Sequence, residues 1–254
     1  MLCAALVLVA GSLLAADKDD VSAAIAKLAA ADNYSWKSTV TNAAAPGGGG
    51  GGGRRGGFGG GPVDGKAQKN GLMYLSMVGR GGTPTIGFVQ NTNVAIQTDS
   101  GWQSLSEATA DDGGGGFNPA RFTAMRLQTT KAPTDQAKSL LASAKSVTKG
   151  DDGYSAELTD DGAKGLLQVT GFGRGGGPGG PGGGGPEIVI SEAKASVKFW
   201  VKDGVLVKYE IKSTGKRQFG DNDPMDVNTT TTVEIKDVGA TKLDLPDEAK
   251  KKLS

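Results

Sequence analysis

The side chains available for chemistry are mainly carboxylates, lysines and arginines, because the 254 residues include no histidine and a single cysteine, Cys3. That removes imidazole acid–base catalysis and His-ligated zinc or copper. Three adjacent pairs, Asp111-Asp112, Asp151-Asp152 and Asp160-Asp161, come nearest to a carboxylate couple. Neighbours on a turn do not face one another across a substrate as an acid and a base must, so the pairs read as turn and cap residues. Asp221-Asn222-Asp223-Pro224-Met225-Asp226 gathers the hard oxygens that calcium prefers. It lacks the glycine and the distal glutamate of an EF-hand loop and is equally well explained as a turn.

Arg55-Gly56-Gly57, Arg80-Gly81-Gly82 and Arg174-Gly175-Gly176 carry the residue types that stack on bases in RNA-binding tails. Each tract has only one or two cations, and the formal charge of +1 argues against general attraction to nucleic acid. A G-x-S-x-G elbow, a P-loop and a strand-linked dinucleotide fingerprint are all absent from the sequence. The expectation is a non-enzymatic protein with no cofactor, no metal and no nucleic-acid partner.

Met1 to Ala16 is uncharged and largely apolar, and Asp17-Lys18-Asp19-Asp20 follows at once. This has the form of a secretory signal peptide without the usual basic start, cleaved after Ala15 or Ala16. Its apolar run falls short of the roughly 20 residues that a membrane span needs. Cys3 lies inside the run rather than after it, so it is not placed as a lipid acceptor, and the mature chain has no thiol. The expected location is periplasmic or extracellular, with at most transient membrane contact.

The elements follow from periodicity. Residues 17–254 read as one α+β domain interrupted by Gly-rich insertions at 47–61, 113–116 and 171–185. Val21, Ile25 and Leu28 stand at i, i+4 and i+7, which predicts a helix over 21–31 capped by Asp19 or Asp20. Strands are predicted at 34–41, 63–69, 72–78, 85–90 and 94–98, with Asn70-Gly71 as a turn. Two helices are predicted at 120–127, opened by Asn118-Pro119, and at 134–146. A strand at 154–158 leads through Thr159 into a capped helix over 160–167. Lys250 to Lys252 reads as a solvated basic tail.

The strongest local signal is Ser196 to Ile211, where alternating runs flank Asp203-Gly204, the pair that a tight primed turn requires. Alternation places Val197, Phe199 and Val201 on one face of the first strand, and Val205, Val207, Tyr209 and Ile211 on one face of the second. So apolar a face must be covered. With Trp36, these seven residues are the candidate lining of a ligand cavity, and the expected cover is the helical segment 120–146. A further strand at 229–235 precedes Leu243-Asp244-Leu245-Pro246.

These residues, Val197 to Ile211 followed by Thr230-Thr231-Thr232-Val233-Glu234-Ile235 and the late Leu245-Pro246, resemble the LolA/LolB-like periplasmic lipoprotein carriers and the LppX/LprG-like lipid-binding proteins. The chain departs from them in lacking a lipoprotein cysteine, in its Gly-rich insertions, and in having Val205-Leu206-Val207 where a proline often ends the turn. The resemblance implies a curved, mostly antiparallel sheet forming an unclosed half-barrel, with helices packed on the concave face. It also implies a lipid or acyl-chain ligand. The alternative is a secreted structural or protein-interaction module with a solid core and no small ligand.

Overall fold

The stripe Val21, Ile25 and Leu28 is fully buried, on a helix that begins well before it: α1 runs Val9–Ala30. Asp19 and Asp20 therefore lie within the helix and do not cap it. The carboxylates that do anchor this helix are Asp17, which accepts from the Lys149 backbone N–H at 2.9 Å, and Asp20, which accepts from the Tyr154 hydroxyl at 3.0 Å. The computed structural model describes residues 9–42, 61–78, 84–110, 119–169 and 188–254. Apart from Gly61, the three Gly-rich insertions lie outside the described residues, as do all three Arg-Gly-Gly triplets and Asp111-Asp112.

After α1 come β1 (Asn33–Asn42), β2 (Val63–Gln68), β3 (Leu72–Val78), β4 (Pro84–Gln90), β5 (Asn93–Thr98) and β6 (Gly101–Ser104). Three helices follow: α2 (Leu105–Thr109), α3 (Pro119–Thr129) and α4 (Pro133–Ala142). The hairpin β7 (Ala144–Gly150) and β8 (Gly153–Leu158) leads to α5 (Asp160–Val169). The chain ends with β9 (Ile188–Lys202), β10 (Val205–Phe219), β11 (Met225–Lys236) and α6 (Asp247–Lys252). The strands form one antiparallel sheet in the order β6-β5-β4-β3-β2-β1-β11-β10-β9-β8-β7, and it is not closed.

The helix predicted over 134–146 stops early. Ser143 ends it, its N–H bonding back to the Ser139 carbonyl, and Ala144 already pairs with Leu158. Asp151-Asp152 is thus the turn of a hairpin. The C-terminal lysines are not a solvated tail either. They belong to α6, which buries Ala249 and Leu253, and Lys252 bonds Glu107 at 2.6 Å.

The residues group into two compact units. One contains β2 to β6 with α2, α3 and α6; the other contains β7 to β10 with α5; α1, β1, α4 and β11 contribute to both. In the first unit, register sorts the two faces of the sheet. Leu75, Gly87 and Ile96 share one, where Leu127 of α3 occupies the space that a Cβ at Gly87 would need. Leu72, Phe88 and Ala95 share the other and pack against Ala249 and Leu253, with Trp102, Leu243 and Leu245 at the margin. This part of the sheet is covered on both sides.

Candidate functional site

In the second unit, Asp203 (φ 54°) and Gly204 (φ 72°) both take the left-handed conformation that a type I′ turn demands. The turn fixes the register of β9 against β10: Val197 faces Ile211, Phe199 faces Tyr209, and Val201 faces Leu206. On its other edge β9 pairs with β8, setting Phe199 against Tyr154 and Val197 against Ala156. The rings of Phe199 and Tyr209 lie 6.3 Å apart at 46°. Neither is exposed at all, and Val197 and Ile211 are buried beside them.

The alternation expected along β10 breaks at Val207. A bulge between Leu206 and Lys208 leaves Val207 without a partner, so the residue sharing the buried face with Tyr209 is Leu206, fully enclosed. Val205 and Val207 are half-buried, as is Val201. Beyond Ile211 the face turns polar at Ser213, whose hydroxyl pairs with that of Thr229 at 2.7 Å.

Within this unit α5 packs on β9 and β10, seated past Ile211 at Gly215 and Arg217, and α1 reaches Tyr154, the register partner of Phe199, through Asp20. From the segment 120–146, α3 packs on β4 and β5. Thr159 caps α5 by accepting from the Gly162 N–H at 3.2 Å, and Ala163 and Leu167 form its buried stripe. Two contacts seat its C-terminal end. The Leu167 side chain fills the space above Gly215, where a Cβ would collide with it. The buried Arg217 donates from Nη2 to the Leu167 carbonyl at 2.6 Å, placing a cation on the last turn, where the helix dipole is negative. Burial lowers the guanidinium pKa from its ordinary value.

Trp36, the eighth candidate, stands in β1 within the first unit. Its ring covers Gly65, with Tyr34 at 5.9 Å. Burial pushes the Tyr34 phenol up, and its hydroxyl meets that of Thr134 at 3.3 Å. Trp36 is therefore engaged in the packing of its own unit.

Among the described residues the adjacent carboxylate pairs Asp151-Asp152 and Asp160-Asp161 stand in a turn and at a helix start. Asp152 is a turn residue held below the usual carboxylate range by the Lys198 ammonium, 2.6 Å away. Asp160 and Asp161 stand in the first turn of α5. Asn222 bonds back to the Phe219 carbonyl as a turn residue. Among the described residues no three Cys, Asp or Glu groups converge on a metal position, and no helix is long and apolar enough to cross a membrane. Among the described residues two open depressions of about 370 and 250 Å³ lie beside α6, and no hairpin residue lines either.

No family model matches the chain, and no curated protein matches it. Among solved structures it is similar to lipoprotein LppX of Mycobacterium tuberculosis, at a TM-score of 0.42 and 11% identity over 91% of this chain and 99% of that one. It is also similar to LprF of Mycobacterium bovis, at a TM-score of 0.44 and 12% identity over 92% and 97% of the two chains.

Sequence reasoning missed three contributors to the site. Gly215 and Arg217 carry no motif, since what they hold is a helix nearly fifty residues away in the chain. Leu206 was hidden by its neighbours, because Val205-Leu206-Val207 is apolar in either parity.

Proposed function

We propose that this chain is an exported, non-enzymatic protein that takes up an apolar ligand, an acyl chain or lipid, beneath α5 and against Val197, Phe199, Leu206, Tyr209 and Ile211. The observation that carries this reading is the apolar hairpin face itself, Val197, Phe199, Leu206, Tyr209 and Ile211 buried side by side, next to a ten-residue helix seated on the same two strands by Leu167 and Arg217. A short helix of this kind detaches at far lower cost than a second sheet layer, because it buries little surface of its own. The face is filled in the present state, so uptake requires α5 to lift. Val201, Val205 and Val207, half-buried near the turn, form the mouth.

Export is read from the start of α1. Asp17, just after the uncharged segment, bonds the hairpin β7–β8 at the Lys149 N–H. Cleavage after Ala16 converts Asp17, Asp19 and Asp20 from mid-helix residues into the first turn, where carboxylates complement the dipole. Intact mass of the exported protein should show a start at Ala16 or Asp17 and no acyl addition.

The decisive experiment is uptake of a fluorescent fatty acid by the mature chain, repeated with Leu167→Cys/Gly215→Cys. A thiol side chain is shorter than that of leucine, which removes the collision with position 167 and leaves the Ser191 carbonyl and Ala193 Cα at 3.1 and 3.2 Å from the new Cβ, so with a small shift of β9 oxidation can pin α5 to β10. Uptake that is blocked when oxidised and restored on reduction supports a helix-gated site. Packing favours a second reading, a solid-cored interaction module, because Phe199, Leu206 and Tyr209 are entirely enclosed. Folded wild-type protein that takes up no acyl probe, and carries none in an organic extract, decides for that module.

A further inference from the structure

The opposite face of the same hairpin is built from different residues. Register places Lys194, Lys198 and Trp200 of β9 beside Thr214, Glu210 and Lys208 of β10, with Lys212 beside Ser196. Trp200 is half-buried between two ammonium groups, Lys208 Nζ at 4.5 Å and Lys198 Nζ at 5.1 Å from its ring centre. The acids of this face engage particular lysines: Glu210 meets Lys212 at 3.5 Å, and Asp152 meets Lys198 at 2.6 Å. Among the described residues Lys194, Lys202 and Lys208 make no ion pair with an acid, and Glu157, opposite Ser196 on β8, makes none with a lysine.

We propose that this outer face docks on the anionic leaflet of a lipid bilayer, with Trp200 entering the headgroup layer and Lys194 and Lys208 meeting lipid phosphates. A tryptophan has an apolar body and a polar N–H, which suits the boundary between headgroups and acyl chains. Lysines spread their stems beside it and carry their charge to the anionic surface. Lysines outnumber acids on this face, five (Lys194, Lys198, Lys202, Lys208 and Lys212) against Glu210, Glu157 and the turn residue Asp152, so the complement is anionic. It is also an open sheet face, which suits an extended surface. The inference goes beyond uptake under α5 and holds whether or not that helix opens.

The test is flotation of the mature chain with phosphatidylglycerol–phosphatidylcholine vesicles and with phosphatidylcholine alone, at low and at high salt. Binding is expected to the anionic vesicles only and to weaken in salt. Lys194→Gln/Lys208→Gln should weaken it roughly 30-fold, at about one favourable contact per lysine, and Trp200→Ala should weaken it further. All three positions face away from α5, so acyl uptake and folding should be unchanged in these variants, which separates failure of this inference from failure of the proposed function. Wild-type protein that does not float with anionic vesicles at low salt overturns it. So does flotation unaffected by the substitutions, or stronger binding to a single-stranded oligonucleotide than to vesicles, which assigns the face to a soluble polyanion.

Discussion

The β3–β5 region and the β9–β10 hairpin use the same device and put it to different ends. In each, a strand glycine gives a helix leucine its seat: Gly87 under Leu127 of α3, and Gly215 under Leu167 of α5. A Cβ at either position would displace the helix, so close approach of helix and sheet requires the loss of a side chain. Around β3–β5 the opposite face is then sealed by Ala249 and Leu253 of α6. On the hairpin the opposite face keeps Trp200 among lysines. The first region has both faces occupied by the protein's own residues, whereas the second has one face under a short helix and one available. Binding is therefore sought on the hairpin.

The largest expected effect probes whether the two cores are equally tight. Phe88→Ala and Phe199→Ala each remove a fully buried ring, and each should lower unfolding free energy by about 3–5 kcal/mol. Urea titration measures both. If the region under α5 relaxes into a cavity that accepts ligand, Phe199→Ala should regain part of its loss when an acyl probe is added and Phe88→Ala should not. Equal losses with no recovery would erase the distinction between the regions.

A second comparison lies within the hairpin. The bulge puts Leu206 in the core and leaves Val207 at its margin. Leu206→Glu forces a carboxylate into an enclosed apolar site, whereas Val207→Glu can turn it to water. The two should differ by about 3 kcal/mol in stability. Equal damage would mean that β10 keeps strict alternation in solution.

A smaller effect is expected at the seat of α5. Arg217→Met keeps the stem and removes the donor to the Leu167 carbonyl, a charged hydrogen bond worth about 1.5–3 kcal/mol. Hydrogen exchange should quicken in α5 while α3 is unchanged. Quickening in both helices would show global destabilisation and no separate seat.

How much of this could be read in the sequence differs by mechanism. The Asp203-Gly204 turn was legible because only a few residue types tolerate two successive left-handed conformations. Thr159 was legible as a cap because its side chain acts within three residues. The bulge at Val207 was not, since three consecutive apolar residues fit either parity and only the partner strand decides. Strand β7 was masked by Ala144, which continues the helical spacing of Leu140 and Leu141. Helix α6 was missed because six residues do not form a helix by themselves and this one is held by the burial of Ala249 and Leu253. Helix α2 should have been found: Ser104-Leu105-Ser106-Glu107 is a capping box, and both of its reciprocal bonds are present. Of the candidate site, the apolar residues were legible and their cover was not, because what covers a face is set by contacts distant in sequence.

The smallest expected effect tests how α6 is fastened to the first unit. Glu107 accepts from Lys252 Nζ at 2.6 and 2.8 Å and from the Ser104 backbone N–H at 2.7 Å. Those bonds, the lysine's foremost, lower its pKa from 4.5 to about 2. A carboxylate whose pKa is lower folded than unfolded stabilises the protein fully above its unfolded value, and that contribution fades as pH falls through the folded one. Wild type and Glu107→Gln should therefore differ at pH 7, converge as the pH drops from about 4.5 toward 2, and coincide below. The pair is solvent-exposed, so the difference in thermal midpoint at pH 7 should be only about 1–2 °C and should shrink in salt. A gap that persists below about pH 2 would mean that Glu107 acts through the shape of its cap and not through its charge, leaving α6 held by Ala249 and Leu253 alone.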